Sequence, residues 1–239
     1  MMEKLLNDKE DLLNERLRVV EYNINEVTDK IGKNKDDIHL VAATKTVSVE
    51  NINRAINLGV KIIGENKVQE LLKKYDDIEK DHCQVHFIGH LQTNKVKNII
   101  GKVQMIQSLD SYKLGKEISR VSKMKGVVTN VMVEVNIGRE ENKFGVFEEN
   151  LTELLKKLSE LENLKIRGLM TIPPFNENTY KTRDYFRKMT ELFIDIADKK
   201  IDNINMDFLS MGMSADYIQA IENGANMIRI GSGLFGSRN

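Results

Sequence analysis

Cysteine occurs once and proline twice in these 239 residues. The lone Cys83 excludes an internal disulfide, and no Cys/His cluster has zinc spacing, so a reducing compartment is expected. Cys83 itself reads as a filler near a strand rather than as a nucleophile. No Pro/Ser-rich stretch or compositional break marks a linker, and one domain spanning 1–239 is expected. An excess of either charge is also missing. Lys+Arg and Asp+Glu stand at 36 each, which leaves no global field favouring nucleic acid or an anionic membrane. No apolar run approaches the ~18 residues that a membrane span needs. The opening MMEKLLNDKEDLLNERLRVV is charged throughout and does not read as a signal peptide. A soluble, cytoplasmic protein is the expectation.

What is present is a regular alternation. Strand-like apolar segments fall at residues 38–43, 61–64, 84–89, 103–108, 129–135, 165–171, 206–210 and 227–230. Helical spacing occupies 49–58, 67–75, 93–100, 111–124, 148–161, 178–199 and 215–223. Several strands are continuous apolar runs, as expected of a parallel sheet covered on both faces. Gly59, Gly101, Gly126 and Gly224 punctuate returns from helix to strand. Eight such units predict a (β/α)8 TIM barrel, a fold of typically ~250 residues. A doubly wound open sheet competes, but no GxGxxG follows the first strand. An extra amphipathic helix, residues 3–31, precedes the barrel within a leading helix and linker of 1–35. Its Leu5, Leu12, Leu13, Leu17, Val20 and Ile24 predict packing across the barrel's outside.

Lys45 is the most informative residue. It follows the first strand, and Ser48 stands ready to cap the helix beyond it. The carboxyl end of a barrel strand is where ligands bind. An amine held there among apolar neighbours loses solvation and can attack a carbonyl as a free base. Taken alone, a snorkelling surface lysine explains it as well. The loops after strands seven and eight read Ser210-Met211-Gly212-Met213-Ser214 and Gly231-Ser232-Gly233. Glycines admit backbone N–H groups close to an anion, and hydroxyls add donors. Phosphate sites in barrels often lie at these two loops. Arg229, inside the last strand, needs a partner: a barrel glutamate or a ligand. In a closed barrel strands one and eight are neighbours, so amine, cation and cup converge. A ligand with an aldehyde at one end and a phosphate at the other fits them, namely pyridoxal 5′-phosphate (PLP).

The motifs carry a resemblance. VAATKT at 41–46, GEN at 64–66 with Gln69 and Glu70, and HFIGHLQTNK at 86–95 come first. Val135-Asn136 with KFG at 143–145, RGLM at 167–170, LSMGMS at 209–214 and RIG at 229–231 follow in order. The chain from Leu40 onward resembles the pyridoxal phosphate homeostasis proteins, whose fold is that of the alanine racemase N-terminal barrel. Thr44 departs mildly from relatives that carry serine, and either supplies a hydroxyl. The resemblance implies PLP held on Lys45 as a reversible internal aldimine, with Arg229 facing the pyridine nitrogen. It implies a phosphate held by Ser214, Gly231 and Ser232, Asn66 beside the ring, and Met170 and Met211 on the pocket wall. His90 reads equally as a rim group or a structural histidine. Lys95 and Lys143 read either as positive potential at the mouth or as solvated helix faces, and Asn136 either as a ligand or as a turn former.

The resemblance also implies that catalysis is absent. Racemisation in the alanine racemase family uses a tyrosine opposite the lysine, supported by a further C-terminal domain for which this chain, ending at Asn239, is expected to leave no room. Tyr22, Tyr75, Tyr112, Tyr180, Tyr185 and Tyr217 all fall in expected helices, helix starts or loops. The expected function is non-catalytic PLP binding in intracellular PLP homeostasis, touching amino- and keto-acid pools indirectly. PLP-dependent apo-enzymes are the expected partners, with no nucleic acid and no membrane, and a monomer is the expected state. A PLP-dependent racemase or decarboxylase, and a cofactor-free aldolase using Lys45, are the competing readings.

Overall fold

The apolar runs pair in parallel, each with the next, and the eighth returns to the first to close a barrel. The structure, a computed structural model, describes residues 2–174 and 179–236. Its strands are β1 His39–Ala43, β2 Ile62–Glu65, β3 Gln84–Phe87, β4 Met105–Leu109, β5 Thr129–Glu134, β6 Leu164–Met170, β7 Ile204–Ser210 and β8 Met227–Ile230. The helices are α1 Met2–Ile31, α2 Val49–Asn57, α3 Val68–Lys74, α4 Val96–Ile99, α5 Tyr112–Lys125, α6 Glu148–Ser159, α7 Thr179–Asp198, α8 Tyr217–Glu222 and α9 Ser232–Phe235. The expected (β/α)8 barrel is therefore observed.

Continuous apolar strands are explained by two separate cores. Val41, Ile62, Ile88, Met105, Met132, Met170 and Met227 fill the barrel interior. Their strand neighbours, such as Ala42, Ile63, Ile106, Val131, Val133 and Ile228, face the helices in a larger outer layer. Because side chains alternate along a strand, both parities are apolar when both faces are covered.

The element boundaries differ from the sequence reading where local contacts intervene. The third strand stops at Phe87 rather than at residue 89, because the chain at Gly89 runs hard against the backbone after β2. A Cβ there would lie 2.2 Å from Asn66 O. The fourth helix is one turn preceded by a 3-10 turn, Thr93–Lys95, and ends before Gly101, whose φ is +80°. The seventh strand begins two residues earlier than expected, at Ile204. Asn178, the expected start of the seventh helix, lies outside the described residues, as does the side chain of Leu5.

Helix α1 packs on the barrel's outside through Leu13, Leu17, Val20, Ile24 and Val27, whereas Leu12 is 45% exposed and is not part of that face. Asn23 Nδ2 donates to Tyr217 Oη at 2.8 Å, and Lys30 pairs with Glu222 at 3.0 Å, which ties α1 to α8. The leading helix thereby braces the element that follows β7.

One glycine is dictated by the sheet. Register slips between Ile166 and Gly168 in the β6–β7 pairing, and Gly168 has φ +149°. A Cβ there would sit 1.8 Å from Phe208 O, a backbone atom that cannot step aside. Gly168→Ala should cost roughly 3 kcal/mol or more. Urea unfolding checks this, and a loss under about 1 kcal/mol would mean that the β6–β7 bulge is not rigid.

Candidate functional site

Three strand ends build the site. On β1 the interior parity runs from Val41 through Ala43 toward the mouth, and Lys45 continues it two residues beyond the strand. Thr44 N donates to Gly64 O at 2.9 Å, which extends the β1–β2 ladder to the residue before the lysine. The chain then turns sharply. Thr46 has φ +63°, and Val47 N donates to Thr44 O at 3.0 Å. Ser48 Oγ accepts from Asn51 N at 3.3 Å and starts α2, the cap that its position suggested. Lys45 is left half-buried, and among the described residues its amine has no hydrogen-bond or ion-pair partner.

Arg229 pairs in register with Val41 and shares the interior parity of Met227. It is 4% exposed. Among the described residues it makes no ion pair, so the glutamate partner considered for it is not found. Its solvation comes from a directional chain of neutral groups. One guanidinium N–H donates to Thr171 O at 2.8 Å and another to Ser210 Oγ at 2.6 Å. Ser210 Oγ in turn donates to Gln107 Oε1 at 2.7 Å, and Gln107 Nε2 donates to His86 Nδ1 at 3.0 Å. That last bond requires a neutral imidazole, and burial pushes the His86 pKa down to about 3. Burial also lowers the arginine, to about 10, against the raising fields of Glu134 and Asp216. The guanidinium therefore stays charged at neutral pH.

The loops after β7 and β8 interlock. Gly233 N donates to Ser214 Oγ at 3.0 Å, so the hydroxyl accepts from one loop while keeping its own proton to give to a ligand. Asp216 Oδ1 accepts from Met213 N at 2.6 Å and shapes the same loop. A Cβ at Gly233 would lie 2.9 Å from Ile230 Cγ2 and 3.3 Å from Ser214 Oγ. A Cβ at Gly231 would lie 3.5 Å from that of Ala43, so this loop stands directly beside the end of β1. Ser232 is exposed at the turn into α9. These observations fit a phosphate at the two loops and a carbonyl at Lys45.

The other expected site residues separate. Asn66 lies half-exposed at the end of β2. Met170 belongs to the interior cluster, at the same end as Arg229. Met211 does not line the mouth with its side chain. It follows Ser210, whose hydroxyl takes the interior, and is wholly buried in the outer layer against the helices. Asn136 is spent on its own loop, donating to Glu140 O at 2.9 Å and accepting from Glu140 N at 3.1 Å. His90 stacks on Phe144 at 3.5 Å between centroids and approaches Asp110 at 3.4 Å. With Lys113 and Lys143 they line an open cleft of about 620 Å³ that contains none of Lys45, Ser214 or Arg229. Lys143 pairs with Glu140 at 2.5 Å, and Lys95 sits in the 3-10 turn before α4.

Glu134 is a residue that the sequence reading missed. It ends β5 with the parity of Met132 and is paired with Met170, so it faces the barrel's mouth. Burial and the nearby Asp110 raise its pKa from 4.5 to about 7, against the field of Arg229. An acidic residue of interior parity at a strand's carboxyl end was the available signal.

The alanine racemase N-terminal domain family matches residues 16–239. The pyridoxal phosphate homeostasis protein of Aquifex aeolicus is 46% identical over 224 residues, covering 94% of this chain and 97% of that protein. The one from Haemophilus influenzae is 34% identical over 229 residues, covering 92% and 96%. Among solved structures, an unknown protein from Bifidobacterium adolescentis superposes with a TM-score of 0.92 at 28% identity, covering 95% and 96% of the two chains. PipY of Synechococcus elongatus, solved with PLP bound, gives 0.81 at 27% identity, covering 94% and 100%.

A pH test follows from Glu134. Its folded pKa lies above its unfolded one, so the stability it contributes is complete below pH 4.5 and is lost as the pH rises through about 7. Ionising it in the fold costs on the order of 3 kcal/mol. Glu134→Gln should therefore raise the stability of the ligand-free protein relative to wild type at pH 8 more than at pH 5, as read by urea unfolding. An equal difference at both pH values would contradict the buried, neutral-range carboxyl.

Proposed function

The chain belongs to the pyridoxal phosphate homeostasis protein family, with a barrel of the alanine racemase N-terminal type, and we propose that it holds PLP reversibly at the β8–β1 side of its mouth and does not turn substrate over. One observation carries this reading. The amine of Lys45, which has no partner among the described residues, follows the strand that adjoins both the buried cation and the loop of Gly231 and Ser232.

When bound, PLP supplies an aldehyde that captures amines reversibly and a phosphate dianion. Lys45 Nζ would hold that aldehyde covalently and reversibly, with water released on capture and taken up again on release. Ser214, through its hydroxyl proton, would hold the phosphate together with Gly231 and Ser232, and Asn66 would lie beside the ring. Arg229 would present its cation to the pyridine nitrogen. A cation there disfavours protonation of that nitrogen and weakens the ring as an electron sink. Racemisation needs two proton-transfer groups on opposite faces of the ring. Five of the six tyrosines lie on α-helices and Tyr75 in a 3-10 turn directly after α3, none of them on a strand. Reversible release suits supply of PLP to apo-enzymes that require it, consistent with the names of the relatives. Among the described residues no helix is long and apolar enough to cross a membrane.

Glu134 favours a second reading, a PLP-dependent racemase or decarboxylase, because its raised pKa would let a mouth-facing carboxyl carry a proton near neutral pH. The two readings diverge in assay. Protein mixed with PLP should develop a visible absorption band that Lys45→Ala abolishes, and Arg229→Gln should shift that band or the PLP dissociation constant. Amino acids should show no racemisation, decarboxylation or transamination above PLP with a model amine. Turnover well above that control, lost in both Lys45→Ala and Glu134→Gln, would establish the enzyme reading. A protein that takes up no PLP would remove both.

A further inference from the structure

Behind Lys45 lies a buried cation that no ligand would touch. Lys74, in the last turn of α3, is 8% exposed and donates three hydrogen bonds. They reach Thr44 O at 2.9 Å, Glu65 Oε1 at 2.9 Å and Glu70 Oε1 at 2.7 Å. The same two carboxylates grip the residues on either side of the catching amine. Glu65 Oε1 accepts from Thr44 Oγ1 at 2.7 Å, and Glu70 Oε1 accepts from Thr46 N at 2.5 Å. Glu65 is completely buried, and its second oxygen has no partner among the described residues, so the cluster is closed on that side and reaches the surface only at Glu70.

The turn that this cluster holds is strained. Thr46 is β-branched and sits at φ +63°, a region that such residues avoid unless their surroundings impose it. Lys45 itself contributes no hydrogen bond or ion pair to the restraint, because its side chain has no partner among the described residues. The turn is therefore fixed from outside the barrel, through Thr44 and Thr46, while the lysine between them is left free to react.

Resting on the PLP reading above, we propose that Lys74, with Glu65 and Glu70, is a positioning group that fixes the Thr44–Lys45–Thr46 turn and so aims the Lys45 amine at the ligand's carbonyl. It touches neither ligand nor reacting atoms. A misplacement of about 1 Å far from the chemistry can cost on the order of 100-fold in rate, and that is the scale of effect a loosened turn should produce. Because strain at Thr46 is what the cluster opposes, a glycine there, free to adopt positive φ, should make the clamp partly dispensable.

The test separates covalent capture from binding. PLP capture is followed by the visible band in stopped flow. Pyridoxine 5′-phosphate, with an alcohol in place of the aldehyde, reports the cup alone by calorimetry. Lys74→Met should slow PLP capture roughly 10- to 100-fold while leaving the affinity for pyridoxine 5′-phosphate within about twofold, and Thr46→Gly added to it should recover most of the lost rate. Glu70→Ala, at a partly exposed position, carries the same expectation and serves if Lys74→Met does not fold. Capture at the wild-type rate in either single variant would overturn the proposal. So would parallel loss of both ligands, which would mean that the cluster supports the mouth as a whole, or failure of Thr46→Gly to restore any rate. Wild-type protein that captures no PLP on Lys45 would overturn the underlying reading instead, and is distinguished by being seen before any variant is made.

Discussion

A full positive charge inside a closed β-barrel must be solvated by the protein itself, and the interior of this one is arranged around that demand. An unpaired buried guanidinium would cost several kcal/mol. Here the cost is met by neutral acceptors, Thr171 O and Ser210 Oγ, and by a chain through Gln107 to a histidine held neutral. Neutral acceptors leave the charge uncancelled. A carboxylate in contact would have neutralised the field that Arg229 projects toward the mouth, whereas Glu134 and Asp216 act on it only from a distance.

Barrel closure then decides what this cation faces. Pairing of β8 with β1 puts Arg229 level with Val41 and sets Gly231 against Ala43, so the amine and the two loops share one edge of the mouth. Two different devices hold the edges of that arrangement. Ser214 bridges the loops after β7 and β8 from inside the mouth, and the Lys74 cluster grips the turn after β1 from outside it. Each keeps a reactive group free: a hydroxyl proton in one case and an amine in the other.

The strands were legible because burial on both faces leaves continuous apolar runs, and the placement of Lys45, Ser214 and Gly231 just past strand ends because the alternation fixes where each strand stops. The interior polar chain was not legible. Ser210 and Gln107 are 103 positions apart and meet only when the sheet closes. Lys74 looked like its exposed neighbour Lys73, since nothing local marks one helix lysine as buried. Met211 illustrates the limit of motif reasoning: adjacency to Ser210 in sequence places its side chain on the opposite face of the sheet. Glu134 was readable by parity, but the motif drew attention to Asn136, whose side chain is consumed by its own loop.

The central claim is that one amine, Lys45, captures the ligand beside an uncancelled cation. The most direct measurement is peptide mapping by mass spectrometry after PLP-loaded protein is reduced with borohydride. A single pyridoxyl phosphate group on the peptide containing Lys45, at near-stoichiometric yield, is the expected result. Label spread over surface lysines, or concentrated on another lysine such as Lys143, would contradict the account.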